Sequence, residues 1–98
     1  MILAAVLMSS NAMASTRTTN NVAAGCIEKE QIEDLVHLSG DATALRKQIV
    51  SYVITGQCTV FNAGEVVNIE DVSFLGLTRV RKNGDNIKYW MVSEFLSK

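Results

Sequence analysis

The dipeptide Asn83-Gly84 lies between two strand-like runs, which leaves the carboxy-terminal part of this chain little choice but an antiparallel hairpin. A tight hairpin turn needs positive φ at its centre, and Asn and Gly supply it at low steric cost. The run before the turn is Leu77-Thr78-Arg79-Val80-Arg81. Side chains alternate along a strand, so Thr78 and Val80 share one face while Arg79 and Arg81 point the other way. The run after the turn is Ile87-Lys88-Tyr89-Trp90-Met91-Val92. Upstream, Asn62-Ala63-Gly64 is turn chemistry, and Val66 to Ile69 is a β-branched run. Val67 and Ile69 fall on one face of it, Asn68 and Glu70 on the other. Gly76 marks a further turn, and Ser93-Glu94-Phe95-Leu96 reads as a short helical turn that tucks Phe95 and Leu96 under the sheet. Residues 58–96 are therefore expected to form a small β meander.

These residues carry a resemblance. Phe61-x-x-Gly64-Glu65-x-Val67-x-Ile69 resembles the SH3 pattern of a hydrophobic residue, a diverging turn ending in Gly-Glu, and an alternating strand. Leu77-x-x-Val80-Arg81 is similar to the next SH3 strand. Trp90-Met91-Val92-Ser93-Glu94-Phe95-Leu96 resembles the closing strand, 3₁₀ turn and final strand of that fold. The tandem tryptophans and groove proline of polyproline-binding members are absent; Leu77 and Val92 stand in their places, and the chain has no proline. The resemblance is thus to bacterial SH3-like domains, and it implies a barrel that binds cell-wall peptides or other proteins.

The middle of the chain reads as helical. Ile27 to Leu38 places Ile32, Leu35 and Val36 at helical spacing, with Glu28, Glu30, Glu33 and Asp34 on the remaining surface. Ser39-Gly40-Asp41 breaks this helix, Gly40 as its C-terminal cap and Asp41 as the next N-cap. A second helix follows from Ala42 to Ile54, with Ala42, Leu45, Ile49, Tyr52 and Val53 as its apolar stripe. Residues 49–55 are rich in β-branched side chains and fit a strand as well; the unbroken stripe favours helix. The expected fold class is α+β. An N-terminal helical hairpin (residues 26–55) packs on a small antiparallel SH3-like β meander or barrel (residues 58–96). Neither half buries its apolar face alone, so both join in one domain, 26–98. Its predicted core is Leu35, Leu45, Ile49, Val53, Val67, Ile69, Val80 and Met91.

Ile2 to Met8 is a short apolar run, and Ala12-Met13-Ala14 precedes Ser15. Small residues at these spacings are what signal peptidase accommodates, so residues 1–14 read as a signal peptide. No Lys or Arg precedes the apolar run. The competing reading is a buried amino-terminal helix or strand, but the Ser/Thr/Asn-rich tail that follows would detach it from any core. Residues 15–25 are expected to be a disordered arm. The two cysteines, Cys26 and Cys58, are then expected to form a disulfide, since an even count in an exported chain argues for one. A reactive thiol is the other reading. No Cys-x-x-Cys motif and no adjoining basic residue supports it.

The formal net charge of −1 gives no basic field for a phosphate backbone, so no nucleic-acid partner is expected. No run reaches the roughly 18 apolar residues of a membrane span. One His and two Cys make a poor metal set, and no cofactor motif is present. His37 reads as an exposed helix histidine rather than a catalytic base, and the acidic cluster as a solvated face rather than paired carboxylates. Tyr89 and Trp90 are adjacent on a strand, so one is expected inward and one outward. An outward aromatic beside cations defines a candidate binding face of Arg79, Arg81, Lys88, Tyr89 and Trp90. The bland alternative is that Trp90 only covers the barrel end. The expected function is a small exported, periplasmic or secreted, non-enzymatic protein-binding module of the inhibitor, immunity or exclusion type. Alternatives are a peptidoglycan-binding SH3-like module, taking cell-wall peptides, and a small hydrolase using His37. Amino-terminal sequencing of the processed polypeptide is expected to begin at Ser15.

Overall fold

The computed structural model describes residues 15–73 and 76–97. In chain order these form β1 (Thr16–Thr19), β2 (Ala23–Cys26), α1 (Lys29–His37), α2 (Ala42–Ile54), β3 (Cys58–Phe61), β4 (Val66–Val72), β5 (Leu77–Lys82) and β6 (Lys88–Val92). A 3₁₀ turn (Ser93–Phe95) and the two-residue β7 (Leu96–Ser97) follow. Among the described residues, all seven strands belong to one antiparallel sheet, in the order β3-β2-β6-β5-β4-β1-β7.

This order corrects the expected fold class. The helices do not form an amino-terminal hairpin ahead of the sheet; they interrupt it, between β2 and β3. Nor are residues 15–25 a disordered arm, and the ordered part opens before Cys26, with β1. The reason lies in how these two strands are held. Thr19 is buried and fully bonded: its hydroxyl donates to the Asn62 carbonyl at 2.6 Å and accepts from the Glu65 amide at 2.9 Å. Its own carbonyl accepts from the Gly64 amide at 2.7 Å. In β2 the small side chains are a packing requirement. A Cβ on Gly25 would sit 2.5 Å from Cε1 of Phe61 and 3.1 Å from Cβ of Tyr89. Small and polar residues here mark close backbone approach, not want of structure. The expected leader, residues 1–14, lies outside the described residues.

The helices form where the spacing placed them. α2 begins after Asp41, whose carboxylate accepts from the Ala44 amide at 3.1 Å, and it runs on through the β-branched segment to Ile54. α1 is shorter than expected. Gln31 reaches back to accept from the Glu28 amide at 3.1 Å, and Ile32 and Leu35 are buried. Gly40 is not the C-cap of α1: Leu38 holds that position, and the glycines of positive φ lie elsewhere. Asp34 accepts from the Tyr52 hydroxyl at 2.9 Å and joins the two helices. None of α2 is fully buried; Leu45, Ile49 and Tyr52 are half-buried, and Val53, expected in the core, is exposed. No helix of the described residues is long and apolar enough to cross a membrane.

The sheet is apolar on both faces. One face gathers Ala23, Phe61, Val67, Val80, Tyr89 and Met91, with Ile69, Phe95 and Leu96 packed against them. Phe61 and Leu96 come from strands at opposite ends of the order, so the sheet curls until both ends share one core. The other face gathers Cys26, Ile32, Leu35, Cys58, Leu77 and Trp90, and the helices lie against it. Cys26 and Cys58 are directly opposed in the β2–β3 ladder and are joined by a disulfide. The bridge closes a separation of 32 residues that contains both helices. In the chain-entropy model a loop of this length stabilises the fold by about 3–4 kcal/mol.

Two outcomes are expected in urea denaturation. Reduction, or Cys58→Ser, lowers stability by about 3–4 kcal/mol. Gly25→Ala lowers it by about 1–3 kcal/mol through overpacking against Phe61, and Phe61→Leu in the same chain recovers part of the loss.

Candidate functional site

The hairpin register assembles a charged strip on the helix-facing side of the sheet. Asn68 pairs with Arg81 across β4 and β5, Arg81 with Lys88 across β5 and β6, and Arg79 with Trp90. A register shift between Ile69 and Asp71 falls at Glu70. The Glu70 carboxylate accepts from Nε of Arg81 at 3.0 Å, and Nζ of Lys88 lies 3.7 Å away. The hydrogen bond from Arg81 holds the Glu70 carboxyl below its ordinary pKa; desolvation opposes this, and the positive charges of Lys88 and Arg81 assist it. Arg81 also donates through Nη1 to the Asp85 carbonyl at 3.1 Å, fastening the strip to the hairpin turn.

Trp90 sits at the inner end of this strip. Nζ of Lys29, from the first turn of α1, is 5.0 Å from its ring centroid, and the Arg79 guanidinium carbon is 5.7 Å away. Both distances suit cation–π attraction. Nε of Arg79 is buried and has no hydrogen-bond partner among the described residues. The indole is only 8% exposed, packed with the disulfide and α1.

The strip unites Arg79, Arg81, Lys88 and Trp90 of the expected face. Tyr89 is not part of it. It packs on the opposite face, edge-on to Phe61 with ring centroids 5.9 Å apart, and burial raises its hydroxyl pKa, with Asp85 adding to the rise. The expectation of one inward and one outward aromatic therefore fails. Both are buried, because the curled sheet covers one side of β6 and the helices cover the other. Two members of the strip, Glu70 and Lys29, went unassigned in the sequence. Glu70 was legible, since alternation puts it on the Arg81 side; Lys29 depends on how α1 docks, and no local pattern reports that.

The other candidates are not brought together into a reactive set. Asp34 is bonded to Tyr52 and raises the pKa of that phenol, through the hydrogen bond first, then desolvation and its charge. His37 is exposed, beside a recess of about 160 Å³ lined by Ile32, Glu33, Val36 and Leu77. A larger apolar groove of about 430 Å³ separates the helices from the Val22–Ala24 segment, with Leu35, Leu45, Ile49 and Phe95 in its walls. Among the described residues no group of three or more His, Cys, Asp or Glu side chains could hold a metal ion.

Neither a family model, a curated protein nor a solved structure matches the chain. The functional reading therefore rests on the strip itself. The strip places guanidinium and ammonium groups on one side of the sheet, with one internal carboxylate.

The Glu70 pairing sets a pH dependence. Its folded pKa lies below the unfolded one, so its contribution is present above the ordinary value of 4.5 and is lost as pH falls through the folded pKa. In an NMR titration the Glu70 carboxyl is expected to reach its midpoint below 4.5, and to return toward 4.5 in Arg81→Gln.

Proposed function

We propose that this chain is a small exported, non-enzymatic module that binds another protein, of the inhibitor, immunity or exclusion type, through the strip Lys29, Arg79, Arg81 and Lys88. The observation that carries the reading is the pair of cations held against Trp90. The buried indole acts as a platform: it orients Lys29 and Arg79 instead of meeting the partner itself. Charged side chains fixed before contact lose less conformational freedom on binding, and Arg is enriched at interface hot spots. Export is supported by the Cys26–Cys58 bridge, which persists in oxidising compartments, and by the leader-like pattern of residues 1–14.

A second reading, a peptidoglycan-binding SH3-like module, draws support from particular elements. Gly64, at φ +87°, and Glu65 lead into β4; β4, β5 and β6 form a meander; and the Ser93–Phe95 3₁₀ turn precedes β7. These are the pieces on which the SH3-like resemblance rests. One experiment separates the two readings. Tagged protein is incubated with the exported fraction of its host and, in parallel, with purified peptidoglycan. Under the first reading one protein co-purifies stoichiometrically, and Arg79→Glu weakens its binding by about 2 kcal/mol, roughly thirtyfold. Retention on peptidoglycan without added protein, unchanged by Arg79→Glu, rejects this reading in favour of the second.

A further inference from the structure

We infer that Lys29 and Arg79 form a carboxylate-binding site that takes an acidic segment of the partner protein, an inference that rests on the binding-module reading above. The charges of the strip are not equivalent. Arg81 and Lys88 share Glu70 at 3.0 and 3.7 Å, so each has a carboxylate of the chain beside it. Lys29 and Arg79 have no carboxylate within ion-pair distance among the described residues. Asp71 is the cross-strand partner of Arg79, but its Oδ1 accepts from the Val72 amide at 2.9 Å and it makes no ion pair with Arg79. Two uncompensated cations therefore converge on one indole ring.

Arg79 lacks internal compensation in a second respect: its Nε is buried and has no hydrogen-bond acceptor among the described residues, while the side chain as a whole is half-buried, which leaves its charge open to a group from outside. The planar donor fork of a guanidinium matches the paired oxygens of a carboxylate or a phosphate, and of the two an unmodified protein partner offers the carboxylate; the ammonium at the same indole ring adds a further donor.

Trp90 is the only tryptophan of the chain, so its emission reports on this site alone. The test titrates the full exported chain, disulfide intact, with tetraglutamate, tetraglutamine and inorganic phosphate. The expected result is a saturable shift of Trp90 emission by tetraglutamate, at least tenfold weaker with tetraglutamine and with phosphate, and weakened by added salt. Lys29→Gln, an exposed helix-surface change that preserves the fold, and Arg79→Gln each weaken the response at least tenfold; Arg46→Gln on α2 leaves it unchanged. Equal responses to the two peptides, an equal response to phosphate, or no saturable shift overturns the inference. If a protein partner is still captured in an Arg79-dependent manner, only the ligand class has failed. If peptidoglycan retains the chain instead, the binding-module reading has failed with it.

Discussion

One covalent bond holds the least self-sufficient part of the molecule to the rest. The segment between Cys26 and Cys58 contains both helices, and it buries little on its own account: α1 has nine residues and α2 has no fully buried side chain. Helices of such length are marginal in water unless tertiary packing supports them. The bridge fixes the two ends of the segment at adjacent positions in the β2–β3 ladder, where Ile32 and Leu35 can meet Leu77 and Trp90. The helices thereby cover one face of the sheet, and that cover buries Trp90 and sets the place of Lys29.

How much of this was legible depended on whether a residue's role was local. The start of α2 could be read because Asp41 and the Leu45–Ile49–Tyr52 spacing act within one helix. The Asn83-Gly84 turn could be read for the same reason, Gly84 lying at φ +81° with the Asp85 amide bonded to the Lys82 carbonyl. β1 and β2 could not. Thr19 is ordered by Asn62, Gly64 and Glu65, more than forty residues away, and Gly25 is small because Phe61 and Tyr89 crowd it. A stretch of Ser, Thr, Asn and Ala with no apolar period looks solvated until its distant partners are known. The same logic governs the candidate site. Alternation gave the side on which Arg79 and Arg81 project, whereas the burial of both Tyr89 and Trp90 required knowing that each face of β6 is covered.

The charged strip shows one sheet serving two ends. Near the hairpin, Glu70 pairs with both Arg81 and Lys88, and Arg81 braces the β5–β6 turn through the Asp85 carbonyl. Toward the helices the balance is left open, and the cations rest on an aromatic ring instead of on a carboxylate. Exposed ion pairs contribute little to stability in general, so the first group matters for the geometry it imposes on its neighbours.

The place of β1 has a consequence for how the molecule comes into being. Strand β1, the first among the described residues, lies between β4 and β7, and its Thr18 and Thr19 pair with Ser97 and Leu96. During synthesis it is made well before β7, so one side of its pairing has to wait. Until then it presents unsatisfied amides to whatever is near, and chain closure waits on contacts about eighty positions apart in sequence, the kind that slow folding most. A strand paired this way finds its second neighbour only after every other strand of the described sheet has been made.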